Sequence, residues 1–362
     1  MNTPAVEIRP DLPHEIRSFP CPNCSLCGAP GQRLYTGLTD WLFGAPGEWN
    51  ITRCPNSGCG LLWLDPMPIE EDIAKAYQTY FTHCVGPNLQ SSPGDRGLLS
   101  RIYREGRAAH RALRYGLEGP PPSAFARLSA IPFRLSAGLR AQADYPLRYL
   151  AGRKGRVLDV GCGSGENVAT ASQMGWDAQG LDVDPMAVSA ARRRGINVRL
   201  GSLNELRFDD ASLDLILSEH VIEHVPDPSD LLREMRRTLR PGGMLAVITP
   251  NAASLLHRWF GPDWRGLEPP RHLHIFKPTT LLSLARKAGF GDARVSSPVR
   301  TTAFFLRTSS HIARSRRKRE VFLAERATAG RLVGDHLLSE LIALAALLMP
   351  KTGEEVLLEA HK

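Results

Sequence analysis

The spacing of apolar positions changes character along the chain. From Cys21 to Pro68 apolar residues follow no sustained period and are interrupted by cysteine, proline and glycine, so a segment this small needs a staple. From Ile69 to about Leu150 the spacing turns helical, first in IEEDIAKAYQTYF and then in LLSRIYREGRAAHRALRYGL, with the turn-forming GPPPS at Gly119–Ser123 between helices. From Gly155 onward short apolar runs alternate with helical stretches: RVLDV, a helix near Glu166–Met174, DAQGLDV, then another helix. Further strands fit Asn197–Leu200, Leu213–Ser218, Met244–Thr249, a stretch near Ala293–Leu306, and Glu355–Ala360.

Strands alternating with helices predict an α/β fold, a Rossmann-like, doubly wound, mostly parallel sheet of seven strands. The predicted organisation is a small module at 20–68, a helical connector at 69–150, and an α/β domain at 151–362 with a helical insertion at about 308–350. Within that insertion LLSELIALAALLM, Leu337–Met349, is too short for the roughly 20-residue span of a bilayer, so it reads as a buried or surface-docked helix.

At 362 residues and 43% hydrophobic content the chain is long enough for one large core with appendages. Its net charge of +8 is uneven. Arginines gather at Arg101–Arg114, continuing with Arg127, Arg134, Arg140 and Arg148, and again at Arg307–Arg319. Such patches attract phosphates or anionic headgroups, or serve only as solvated faces. Met1–Pro20 has no apolar run, so neither a signal peptide nor a membrane anchor is read there and a cytoplasmic location is expected.

The densest chemistry lies in Val157–Gly165, VLDVGCGSG, an apolar strand running into alternating glycines before a helix. Gly161, Gly163 and Gly165 let the backbone bend sharply and approach a ligand, with Asp159 and Cys162 beside them. A dinucleotide turn requires a further glycine where Glu166 stands, and that carboxylate opposes a pyrophosphate. S-adenosylmethionine instead brings an ammonium and a sulfonium, which suit Asp159 and Glu166. Asp182, ending the next strand in GLDVDP beside Val183, is placed to accept both ribose hydroxyls.

Taken together, VLDVGCGSG, GLDVDP, LDLILSEHVIEHVPDP, LRPGGMLAVITPN and LARKAGF resemble the class I S-adenosylmethionine-dependent methyltransferases over about Arg156–Arg294. More closely, CSLCG, LDPMP with Tyr77 and Tyr80, and PPRHLHIF resemble a subgroup carrying an N-terminal cysteine ribbon. The resemblance implies S-adenosylmethionine as cofactor, with Ser202 and Leu203 flanking its adenine and Ser218 closing the fourth strand beside it.

After that strand His220, Glu223 and His224 are spaced i, i+3, i+4, as on one face of a helical turn. The trio suits a general base or a divalent cation, or serves to close a helix and hold loops. Ubiquinone-pathway O-methyltransferases, which the segment resembles, carry metal-binding Glu, Glu and His there; here His220 takes the first place. His272, in the stiff loop PPRHLH, is a second candidate base, with Trp259 and Trp264 nearby.

Five of seven cysteines fall at Cys21, Cys24, Cys27, Cys54 and Cys59. The pairs Cys24/Cys27 and Cys54/Cys59, each beside glycine, have the character of a structural zinc ribbon; Cys21 with Cys24 is a competing first pair. The stretch between them holds only Arg33 and Arg53 as cations, so nucleic acid is not the expected partner. The expected activity is O-methylation of a small-molecule, lipid-linked or glycan hydroxyl. Three alternatives stay open: C-methylation of a nucleotide-activated sugar, RNA methylation, and peripheral membrane contact through the basic and apolar segment Arg307–Met349.

Overall fold

The structure is a computed structural model and describes residues 15–78, 98–117, 120–319, 321, 329–349 and 351–362. Tyr80 and parts of the predicted connector and insertion lie outside the described residues.

The N-terminal segment forms strands β1 (Ser18–Phe19), β2 (Gln32–Leu38), β3 (Trp49–Arg53), β4 (Leu62–Leu64) and β5 (Met67–Pro68). Helices Leu98–Tyr115, Ala124–Ser129, Ile131–Leu135 and Ala137–Asp144 follow, as the helical spacing predicts. Strands β6 (Arg156–Val160), β7 (Asp177–Asp182), β8 (Val198–Leu200), β9 (Leu213–Glu219) and β10 (Leu239–Pro250) then alternate with helices. The short β11 (His274–Ile275) precedes β12 (Asp292–Ser296) and the closing β13 (Glu355–His361).

The large sheet has seven strands in the order β12-β13-β10-β9-β6-β7-β8, with β13 antiparallel to its neighbours β10 and β12. Its central strands are apolar on both faces because helices cover both; Leu158, Ile216, Val247 and Leu358 are fully buried. The chain winds outward from β6 through β7 to β8, then returns to place β9 on the other side of β6. At such a reversal the flanking loops diverge and leave a crevice at the carboxyl ends of β6 and β9.

Two expectations change. The strand read near Ala293–Leu306 ends at Ser296, and Thr302–Lys318 is a helix whose Phe305, Leu306 and Ser309 face inward. The N-terminal module does not stand apart: β11, from the loop after β10, pairs with β4 and completes a sheet ordered β11-β4-β3-β2. Ile51, Leu62 and Trp63 accordingly share one core with Leu158, Ile216 and Phe276.

Candidate functional site

At the end of β6 the chain takes left-handed backbone at Gly161, Gly163 and Gly165, with φ of 70°, 52° and 81°, before the helix Glu166–Gln173. A Cβ on Gly161 would lie 2.2 Å from a Val221 methyl, whereas one on Gly163 would meet nothing within 4 Å. Glycine is thus needed at the first position by packing and backbone, and the second leaves an open face. Cys162 packs beneath the turn, its sulfur 2.5 Å from where a Cβ on Gly180 would stand.

Asp182 is fastened to this turn. One carboxylate oxygen accepts from the Gly163 amide at 2.7 Å and the other from the Asp184 amide at 2.8 Å. Burial raises its pKa, partly opposed by those amides. Val183, the next residue, leaves 70% of its surface exposed, an apolar patch beside a carboxylate as an adenosine would need.

Asp159 is buried in β6, and one of its oxygens has no hydrogen-bond partner among the described residues; the same holds for the Ser218 hydroxyl on the adjacent β9. Burial first, then repulsion from Glu219, holds the Asp159 carboxyl well above the usual carboxylate range. Buried polar atoms without partners are rare, and a cationic hydrogen-bond donor bound beside them would draw the Asp159 carboxyl back toward its charged form. Other cofactor positions read from sequence are already occupied. The Ser202 hydroxyl closes a capping box with Glu205, Leu203 packs in the core, and Glu166 pairs with Arg194 at 2.6 Å.

The trio after β9 is not one helical face. Residues 222–224 form a tight turn, His220 is left-handed with φ 55°, and the side chains diverge. His220 lies between two carboxylates, Nδ1 3.1 Å from Glu223 and Nε2 2.9 Å from Glu355. Burial disfavours its charge, but hydrogen bonds to both carboxylates outweigh that and raise its pKa to about 10. At neutral pH it is an imidazolium and cannot accept a proton. Glu223 is fully buried, its second oxygen accepting from the Thr249 hydroxyl at 2.9 Å, so it is a counter-ion and not a base facing solvent.

Arg300 completes this group, bonded to Glu219 and Glu355. Burial opposes ionisation of Glu355, but Arg300 and His220 pull its pKa down to about 2. Glu219, His220 and Glu355 offer ligand atoms within 4.8 Å of one another, as do Glu223, His224 and His272. The carboxylates of both sets that face one another are already compensated by His220 and Arg300, so the charge that would draw a second cation is taken up.

His224 turns the other way. Its Nδ1 is 2.9 Å from the Arg271 carbonyl and 2.9 Å from the Tyr77 hydroxyl. A carbonyl only accepts, so Nδ1 carries the proton and Nε2 is the basic nitrogen. Burial lowers its pKa and it is neutral at pH 7 while remaining half-buried. His272, expected to face the acceptor, is instead buried with Nδ1 2.8 Å from the Gly266 carbonyl and Nε2 3.3 Å from Glu268. Its role is to hold the loop, and it meets His224 edge to face with ring centres 4.7 Å apart.

Arg271, missed in the sequence, anchors that loop. Fully buried, it bonds Asp40 at 2.7 Å, Glu268 at 2.8 Å and the Ala76 carbonyl at 2.8 Å. Trp264 is buried under the loop and borders a cleft beside β2, and Trp259 is exposed. This separate cleft, of about 270 Å³, opens between β2 and the loop and is also lined by Tyr35, Trp41, Arg265, Ile312 and Arg316.

In the N-terminal module the four cysteines read as a set converge. Cys24 and Cys59 sulfurs are 3.6 Å apart, Cys27 and Cys54 are 3.4 Å apart, and all four lie within 4.8 Å of one another. Tetrahedral zinc with bonds of about 2.3 Å separates its sulfurs by roughly 3.8 Å, so the donor set fits that ion. Cys21 stands outside the group, its amide donating to Asp65 at 2.8 Å.

A glycine turn, a strand-end aspartate and buried polar atoms without partners among the described residues thus come together at the reversal point of a doubly wound α/β sheet. Residues 134–294 match a family described as a methyltransferase domain. A probable S-adenosylmethionine-dependent methyltransferase of Mycolicibacterium smegmatis is 35% identical over 136 residues, 37% of this chain and 51% of that protein. A ubiquinone biosynthesis O-methyltransferase of Bordetella avium is 31% identical over 147 residues, 37% of this chain and 61% of that protein. The chain therefore spans about half to three-fifths of the length of these curated relatives. A solved S-adenosylmethionine-dependent methyltransferase from Thermotoga maritima aligns with 72% of this chain and 99% of its own, at 19% identity and a TM-score of 0.41.

Proposed function

We propose that the chain is an S-adenosylmethionine-dependent methyltransferase acting on a hydroxyl of a small-molecule, lipid-linked or glycan acceptor. The observation that carries this reading is the pair of buried polar atoms without partners among the described residues, one Asp159 oxygen and the Ser218 hydroxyl, near a glycine turn fastened by Asp182. When bound, the cofactor supplies an electrophilic methyl group on a positively charged sulfur. Asp159 and Ser218 would hold its ammonium, Asp182 its ribose, and Val183 its base.

The chain's remaining task is to place the acceptor and take its proton. Of the histidines at this end, His220 is held protonated and His272 is enclosed, which leaves His224 Nε2 as the proton acceptor. Zinc, held by Cys24, Cys27, Cys54 and Cys59, is structural in this reading. No catalytic cation is invoked. Relatives named as O-methyltransferases support oxygen as the nucleophile.

The test is transfer of labelled methyl to a panel of phenolic and sugar hydroxyls, with His224→Ala beside the wild type. The reading expects ether products and a kcat lower by about 100-fold in the variant, at unchanged cofactor affinity. Label on carbon would favour sugar C-methylation instead, and an unaffected kcat would remove His224 as the base.

A further inference from the structure

The helix Ala329–Leu348 is apolar on two opposite faces. Ser339, Ile342, Ala343 and Ala346 are buried on one of them, where Ala343 and Ala346 pack with Val299. Leu337, Leu341, Leu344 and Leu348 lie on the other and are 56–77% exposed, so a leucine stripe about 16 Å long faces water. A solvent-facing helix surface of this composition is a docking face.

The surroundings identify what docks. The Ser136 hydroxyl donates to Glu340 at 2.7 Å, which fastens the junction between the segments Ile131–Leu135 and Ala137–Asp144 to this helix. The first of these segments also exposes Leu135 at 81% and Ile131 at 42%. Arg127, Arg134 and Arg140 flank it, all exposed, and none has an acidic partner among the described residues. The acids of the helix do not compensate them: Glu340 is engaged with Ser136, and Asp335 is half-buried. Among the described residues no helix is long and apolar enough to cross a membrane.

We infer that this face binds an anionic membrane surface, leucines entering the headgroup boundary and arginines meeting lipid phosphates. Such an arrangement lies on a bilayer and does not span it. A second copy of the chain is the less suitable occupant, because a twofold contact over the stripe would set flanking arginines of both copies against each other. The opposite, buried face of the helix packs on Val299, next to the Arg300 that holds Glu219 and Glu355. The inference stands on the surface alone and does not depend on methyl transfer.

Full-length protein is sedimented with vesicles of phosphatidylglycerol and phosphatidylcholine, and with phosphatidylcholine alone. Binding to the anionic vesicles that weakens with added salt is expected. The variants Leu341→Glu with Leu344→Glu, and Arg134→Glu with Arg140→Glu, should each bind about tenfold more weakly or worse. Circular dichroism and the melting temperature, measured on the same samples, report that they remain folded. Failure of the wild type to sediment with anionic vesicles overturns the inference, as does undiminished binding by folded leucine variants. A dimer seen by light scattering that Leu341→Glu dissolves, with no vesicle binding, assigns the face to a second copy and equally overturns it.

Discussion

Four histidines gather around the end of β9 and the loop before β11, and their surroundings give them different charges. His220 is charged between Glu223 and Glu355; His224, His272 and His274 are neutral, the last pushed down to about 4 chiefly by burial. A histidine whose pKa is raised on folding contributes stability that is complete below its ordinary value of 6.5 and is lost as the pH climbs through about 10. Glu355, lowered on folding, contributes stability present above its ordinary value of 4.5 and lost only as the pH falls through about 2. Denaturant midpoints should therefore decline between pH 7 and 10, and His220→Gln should flatten that decline while lowering the midpoint at pH 7. A wild-type midpoint that is level over this interval would show that His220 is not held charged. This residue-level assignment was hidden in the sequence. The motif EHVIEH displayed the titratable groups, but Glu355 lies 135 positions from His220 and Arg300 lies 81 from Glu219, so nothing local announced the compensation.

Elements differ in how openly the sequence displays them. The glycine turn and Asp182 were legible because a strand, a turn and a helix are consecutive, whereas the packing constraint on Gly161 comes from Val221, in the distant segment after β9. The strand read near Ala293–Leu306 went astray because TTAFFL is rich in β-branched and aromatic residues, whereas packing of Phe305 and Leu306 favours helix there. The cysteine pairs were legible by spacing, and the glycine after Cys27 favoured Cys24 with Cys27 over Cys21 with Cys24. Since the module's β4 pairs with β11, loosening the cysteine cluster acts on the loop that carries Arg271. Cys54→Ser should remove the zinc found by metal analysis and lower the melting temperature by roughly 4–8 °C, the equivalent of about 2 kcal/mol. Full retention of metal would refute the ligand set.

At the scale of the whole molecule, one core runs from the N-terminal strands through the large sheet. Arg271 joins Asp40 of the module to Glu268 of the loop after β10, and removing one member of such a buried group leaves charge uncompensated, at about 3–5 kcal/mol. Sequence periodicity separated module, connector and sheet because each has its own pattern. It did not show that a loop from the third completes the sheet of the first, because β11 has only two residues and its partner lies more than 200 positions away. This arrangement sets the module against the loop that supports His224, and the crevice between β6 and β9 is the proposed site of the nucleoside.

That crevice is the centre of the account, and calorimetric titration of the purified chain with S-adenosylmethionine, S-adenosylhomocysteine and NAD tests it most directly. The account predicts micromolar binding of both sulfur nucleosides, at least tenfold weaker in Asp182→Ala, and no binding of NAD. Binding of NAD, or sulfur-nucleoside affinity unchanged by Asp182→Ala, would contradict it.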